Sequence, residues 1–416
     1  MSRLDELINE LCPDGVEYKC LGDIGQVKMC KRILKSQTNT NGGIPFYKIG
    51  TFGGEANAFI SEELFQEYRE KYSYPKVGEI LISAAGTIGR TVVYDGEPAY
   101  YQDSNIVWLA HDESNILNTF LRYCYELKPW NISSGGTIAR LYNDNILKAK
   151  VPVPPLEVQR EIVHILDSFT LLTAELTAEL TARKKQYEFY RDELLSAKKN
   201  IPIVKLGDIA TEFYRGSGIK RDEITDTGIP CIRYGEIYTT YNTWFDKCVS
   251  HTKIDFVQSP KYFENGDILF AITGESVEDI AKSVAYIGHE KCLAGGDIVV
   301  MKHNQNPRYL AHVLATTEAR MQKSKGKVKS KVVHSNVPSI KEIQIPLPPL
   351  EIQEKYANVL DNFEAICTDL NIGLPAEIEA RQKQYEYYRD LLLTFAETGS
   401  TLMTDRQTDR QTDRQS

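Results

Sequence analysis

The chain has 416 residues, 42 % of them apolar and 25 % charged, with a net charge of −8. That length is too great for one ordinary core and predicts two to three domains. No apolar run approaches the roughly 18 residues of a membrane span, and the acidic opening Met-Ser-Arg-Leu-Asp-Glu-Leu does not read as a signal peptide, so a cytosolic protein without membrane contact is expected. The charge is uneven. Residues 351–400 carry 4 basic and 10 acidic groups, whereas 201–350 carry 19 and 17. The acidity therefore sits in one segment, and the global balance does not exclude a nucleic-acid partner. None of the eight cysteines forms a Cys-x-x-Cys pair, which argues against a zinc ribbon and for reduced, partly buried thiols. The histidines show no metal-ligand spacing.

Read in chain order, residues 1–150 form a first globular stretch. It carries Leu21-Gly-Asp-Ile24, Gly43-Ile-Pro45, short β-like runs at 80–83 and 91–94, a glycine loop at 84–90 and a helix over 119–127. Residues 151–200 open on Val151-Pro-Val-Pro-Pro-Leu-Glu-Val-Gln159. Proline can start a helix but not sit inside one. Beyond it, Val158, Ile162, Ile165, Phe169, Leu172, Leu176, Leu180, Tyr187, Tyr190 and Leu194 fall at steps of mostly 3 and 4, a coiled-coil seam with a stutter. About 40 residues at ~1.5 Å each predict a rod of roughly 60 Å. The stutter is the literal repeat Thr173-Ala-Glu-Leu176, Thr177-Ala-Glu-Leu180. Each copy adds ~6 Å, which makes length an adjustable quantity.

Residues 201–344 are a second globular stretch with Leu206-Gly-Asp-Ile209, Gly228-Ile-Pro230, β-like runs at 268–272 and 298–301 and a helix over 308–320. Residues 345–396 repeat the helical signature: Ile345-Pro-Leu-Pro-Pro-Leu-Glu-Ile-Gln353 matches the first copy at an offset of 194. Ala380-Arg-Gln-Lys-Gln-Tyr-Glu-Tyr-Tyr-Arg-Asp390 matches Ala182-Arg-Lys-Lys-Gln-Tyr-Glu-Phe-Tyr-Arg-Asp192 at 198. Gly373 and Pro375 should break or kink the second rod. Residues 397–416 end in Thr-Asp-Arg-Gln repeats, a low-complexity tail. Its four-residue period is what an iterated ACAG tract would encode, so a slippage-prone reading frame is expected there. The class is α+β, with mixed sheets in two globular parts and two helical parts packed one against the other.

Candidate DNA contacts follow from local chemistry. Lys323, Lys325, Lys327, Lys329 and Lys331 alternate, which puts them on one side of an extended segment. Such a row either touches phosphates or guards a sheet edge. Ser335 and Asn336 could bond base edges. In the first half, Ser133, Ser134, Gly135, Thr137 and Arg140 lie in a polar, glycine-rich stretch. Thr87 and Arg90 belong to the glycine loop, a motif more often a plain turn. No Walker phosphate loop, dinucleotide fingerprint, adenine-methyltransferase tetrapeptide, zincin motif or nucleophile elbow is present, so no catalytic residue is expected.

The two Pro-x-Pro-Pro-Leu-Glu-x-Gln signatures, the Lys-Gln-Tyr-Glu-[Phe/Tyr]-Tyr-Arg-Asp blocks, each Leu-Gly-Asp-Ile and the opening Arg3-Leu-Asp-Glu-Leu…Cys12-Pro-Asp-Gly-Val-Glu17 together resemble the specificity subunit of type I restriction–modification enzymes. The resemblance implies two target recognition domains, each reading half of a split DNA site, separated by two long conserved helices packed as an antiparallel coiled coil. It implies two modification (methyltransferase) subunits bringing S-adenosylmethionine, and motor–nuclease restriction subunits using ATP and Mg. It directs Leu156, Gln159, Tyr187, Tyr190, Leu350, Gln353, Tyr385 and Tyr388 toward those partners. A coiled-coil adaptor with two protein-binding modules is the alternative reading of the same rods.

Overall fold

In each half, two neighbouring strands are apolar at nearly every position, so both faces of their sheet must be covered. A computed structural model describes residues 2–132, 140–197, 200–327, 332–368 and 373–394. The chain divides into two units, one of residues up to Ala174 with those from Ala380 onward, the other Glu175–Glu379. Both mix helix and sheet, and among the described residues no helix is long and apolar enough to cross a membrane. All eight cysteines are free thiols.

In the first unit, a four-stranded antiparallel sheet runs in the order Gln26–Lys28, Ile106–Ala110, Ile80–Ser83, Thr91–Val93. Alternate side chains face opposite ways. Ile80, Ile82, Val107 and Leu109 enter a core shared with the helix Asn118–Glu126 and with Val158, Ile162 and Leu166 of the long helix Leu156–Leu194. Leu81, Ile106 and Trp108 enter a second core, under the small sheet of Phe59–Ile60, Ile44–Tyr47 and Tyr100–Tyr101.

The second unit repeats the plan. Ala210–Arg215, Ile298–His303, Ile268–Ala271, Ser283–Tyr286 and Trp244–Phe245 form a five-stranded sheet. Ile268, Phe270, Val299 and Met301 face the helices, and Leu269, Ala271, Ile298 and Val300 face a second five-stranded sheet. The expected helix over 308–320 is two helices, Pro307–Leu314 and Thr317–Ser324, because Thr316 accepts a hydrogen bond from the Ala319 amide and caps a new start.

The faint sequence echoes have structural causes. Leu-Gly-Asp-Ile is a single helical turn in both copies, with Leu21 and Leu206 fully buried and their amides donating to Ala149 and Ile343 carbonyls. Gly43 and Gly228 both hold positive φ where a Cβ would strike a neighbouring carbonyl, so each Gly-Ile-Pro enters its strand through a bend that only glycine permits. Glu79 and Asp267 are buried carboxylates at corresponding places, accepting the amides of Lys76 and Glu264 and closing the turn before the central strand. The described residues of the second rod fall in two helices, the second opening at Gly373. One helix covers Leu350–Thr368, another Gly373–Thr394, and Gly373 takes a φ of +71°.

Candidate functional site

The helical signatures are junctions. Gln159 is fully buried at the start of the long helix. Its Oε1 accepts the Leu117 amide at 2.8 Å, and its Nε2 donates to the Asn115 and Pro154 carbonyls at 2.8 and 2.7 Å. Gln353 does the same in the second unit: Oε1 accepts the Asn306 amide at 3.0 Å, and Nε2 donates to Gln305 Oε1 and the Pro348 carbonyl. Each of these side chains uses both its N–H donors and its carbonyl oxygen internally. The expectation that Gln159 and Gln353 face partners is therefore corrected: burial and internal bonding leave them nothing to offer.

The second half of each signature docks on a globular part too. In the second unit Tyr187 is buried, and its hydroxyl lies 3.1 Å from His312 Nδ1. His312 Nε2 lies 2.7 Å from Asp361, which also accepts from Trp244 Nε1 at 2.8 Å and pairs with Arg308 at 2.6 Å. Burial opposes ionisation of Asp361, but the bonds from His312 and Trp244 and the charge of Arg308 outweigh it and hold its carboxyl below the usual range. In the first unit Tyr123 donates to Asp167, the residue matching Asp361, and Arg122 stands 3.8 Å from the same carboxylate. Tyr385 donates to Glu126, and burial followed by that bond raises its phenol. Arg191 and Arg389 lie over the rings of Tyr187 and Tyr385, and each holds the following aspartate through Nε and Nη2. Tyr187 is thus an internal contact, and so is the hydroxyl of Tyr385.

What the signatures leave outside is aromatic. Phe189 and Tyr387, at matching positions, are 63 % and 59 % exposed. Each meets the next ring edge-on, Phe189 with Tyr190 at 5.5 Å and Tyr387 with Tyr388 at 5.4 Å. Tyr190 and Leu350 are exposed, Leu156 and Tyr388 half-buried, and Tyr388 also stacks on Phe169. Phe189 and Tyr387 were missed because they fall off the apolar seam. Their match across the 198-residue offset was the available signal.

The expected phosphate row is broken at its first member. Lys323 lies in the helix Thr317–Ser324 and is buried, its ammonium donating to Ser283 Oγ at 3.1 Å and the Leu314 carbonyl at 2.8 Å. It is no member of an extended, exposed row of lysines, because helical spacing turns it to the core. Burial, reinforced by the positive charges of Arg320 and Lys282, pulls its amine down to about 7. Lys325 is exposed and Lys327 half-buried, while Lys329 and Lys331 lie outside the described residues. Ser335 is half-buried, its amide bonded to the Ile272 carbonyl. Asn336 caps the helix Val337–Lys341, so its Oδ1 is committed to the Ser339 amide rather than free for a base. Ser133, Ser134, Gly135 and Thr137 lie outside the described residues. Arg140 donates to the Ser104 carbonyl and lies over Tyr142. Thr87 and Arg90 are exposed, and Arg90 donates to the Gly53 carbonyl.

An exposed Lys-Arg pair follows the first strand of the larger sheet in each unit, Lys31-Arg32 after Gln26–Lys28 and Lys220-Arg221 after Ala210–Arg215.

A sequence model of the type I restriction modification DNA specificity domain matches the chain twice, over residues 13–183 and 198–380. The chain belongs to that family. It is 58 % identical over 180 residues to a putative type I restriction enzyme specificity subunit of Haemophilus influenzae, covering 42 % of this chain and 47 % of that one. It therefore spans about half the length of that relative. It is 30 % identical over 304 residues to the EcoR124I/EcoR124II specificity subunit of Escherichia coli, covering 68 % of this chain and 72 % of that one. Among solved structures, a chain from work on complex assembly and conformational transition of the type I R-M system shares the fold. It has a TM-score of 0.61 at 13 % identity, over 92 % of this chain and 98 % of that one.

Replacing Gln159 or Gln353 by alanine should leave a buried amide unsatisfied and cost about 2 kcal/mol or more of stability. Urea denaturation of the single variants measures this, and a loss under ~0.5 kcal/mol would contradict the junction role. Lys323 carries the opposite sign. Its folded pKa lies below the unfolded one, so the unfolded state binds more protons in between, and stability rises with pH across that window. Lys323→Met should abolish this rise between about pH 7 and 9 in thermal melts.

Proposed function

We propose that this chain is the DNA sequence-specificity subunit of a type I restriction–modification complex and that it binds a bipartite duplex target. One observation carries the reading: two globular parts of one topology are held by internally bonded, near-identical helical junctions, while their connecting loops differ. That is the arrangement expected of a scaffold built twice to present two different reading surfaces. In each unit the Lys-Arg pair after the first strand of the larger sheet is assigned to phosphate contact, with Lys325 and Arg90 as further candidates. Base readout falls to the divergent loops.

The two helical parts are assigned to an antiparallel coiled coil. In the first unit, Phe169 of the long helix meets Tyr388 near the chain's end. In the second, Tyr187, Tyr190 and Leu194 near the end of that helix border the same apolar hollow as Val359, Leu360 and Phe363. Catalysis is assigned to partners: two methyltransferase subunits with S-adenosylmethionine and restriction subunits with ATP and Mg. Two matched sites fit two copies of a partner. Phe189 with Tyr190, and Tyr387 with Tyr388, offer the exposed aromatic anchors typical of a docking surface.

The reading is tested with duplexes and partners. Methylation mapping with and without the gene should give one split motif, and binding should weaken when either half-site is scrambled. Adding a third Thr-Ala-Glu-Leu copy should lengthen the tolerated spacer by about one to two base pairs, from ~6 Å per copy and ~3.4 Å per pair. Unchanged binding after loss of a half-site would refute the reading. Separately, Phe189→Asp with Tyr387→Asp should abolish co-purification of the methyltransferase subunit while leaving the thermal melt within a few degrees of the parent. Full recovery of the partner would remove these residues from the interface.

A further inference from the structure

The second unit contains a cavity of about 480 Å³ that the helical junctions do not account for. It lies within that unit, bordered by the end of the long helix, by residues 278–283 and by the helix Thr317–Ser324. Five cations line it; Arg191 is paired with Asp192 and Lys184 lies on the same long helix, which leaves three, Lys282, Arg320 and Lys323, from the globular part. Among the described residues none of the three has a carboxylate within ion-pair distance. Lys282 donates only to the Tyr238 carbonyl at 3.3 Å. Lys323, buried, donates only to a hydroxyl and a carbonyl. An ammonium has three donors, and beyond these two acceptors Lys323 meets only the face of the Phe270 ring, 5.8 Å from its centroid.

Such a cluster is costly. A buried charge is tolerated when it is paired, and here the charges that bear on Lys323, those of Arg320 and Lys282, are both positive. Burial also lowers the amine of Lys282, although Asp279 offsets part of that. A lysine serving only to fill space would be replaced by methionine without penalty. A lysine held beside two further cations, at the wall of a cavity within the ordinary range for small ligands, fits an anion that enters and completes the set.

We infer that this cavity binds a phosphate-class oxyanion, its charge received by Lys282, Arg320 and Lys323. Acidic side chains also border the cavity: Glu188, Glu278, Asp279 and Glu364. Glu364 is engaged by Thr243 at 2.5 Å. These carboxylates disfavour an extended polyanion along the whole cavity and favour one compact anionic group at the cationic end. The group could belong to a free phosphate or mononucleotide, or to a DNA backbone phosphate.

The test uses the full chain. Equilibrium dialysis with inorganic phosphate and with AMP, against a chloride control of equal ionic strength, should give saturable binding of one anion per chain in the millimolar range or tighter. Lys282→Met, Arg320→Met and Lys323→Met should each weaken it about tenfold, the loss of one charge-assisted hydrogen bond. Circular dichroism checks folding, and if Lys323→Met does not fold, the other two variants decide. Absence of saturable binding to the folded parent, or equal binding by parent and all folded variants, overturns the assignment. A second arm separates the sources. If the anion is a DNA phosphate, inorganic phosphate should weaken duplex binding at constant ionic strength by the parent but not by Lys282→Met. If it is a free ligand, duplex affinity should not move while the dialysis result stands.

Discussion

A buried carboxamide at each helix start is the contact on which the remaining architecture hangs. Where a helix leaves a globular part, backbone amides and carbonyls of the adjoining loop are shut away from water and must find partners. Gln159 and Gln353 supply one acceptor and two donors each, and they join the proline turn, the loop before the adjacent helix and the rod itself. A shorter amide would not reach, and a glutamate would bring no donors to the carbonyls. The junction therefore fixes the direction of the rod from its first turn.

This explains why the signatures are the part of the repeat that stays alike. Identity between copies reads naturally as a shared external partner. Gln159, Gln353 and Tyr187 instead meet an internal demand, because the same junction has to be made twice. Phe189, Tyr190, Leu350 and Tyr387 are the members that face outward among the signature residues named above. Repetition in a sequence reports a repeated constraint, and geometry alone separates a constraint inside the molecule from one outside it.

The mixed class, the strands at 80–83, 268–272 and 298–301, the long helix and a helix boundary at Gly373 were legible, because period and proline placement are local signals. The lysine row was not. Lys-x-Lys alternation reads as an extended edge, but Lys323 closes a helix capped at Thr316, and the helical period turns it inward. No hydrophobicity pattern marks a buried lysine, and its partners, Ser283 and Leu314, are 40 and 9 residues away. The double covering of the central strands was hidden for a related reason. A run such as Ile80-Leu-Ile-Ser83 shows that both faces are buried but not what covers them.

The order of the units along the chain has a consequence for folding. The second unit is one continuous segment, Glu175–Glu379, whereas the first needs residues from Ala380 onward. Leu392 and Leu393 lie in its core, and Tyr385 bonds Glu126 across 259 residues. Contacts so distant in sequence carry a high closure cost and form late. The second unit can thus complete itself first, and the first waits for the last described helix. Damage within residues 380–394 should strike the distant N-terminal unit harder than the neighbouring one. The Thr-Asp-Arg-Gln tract begins at Thr404, beyond Leu393.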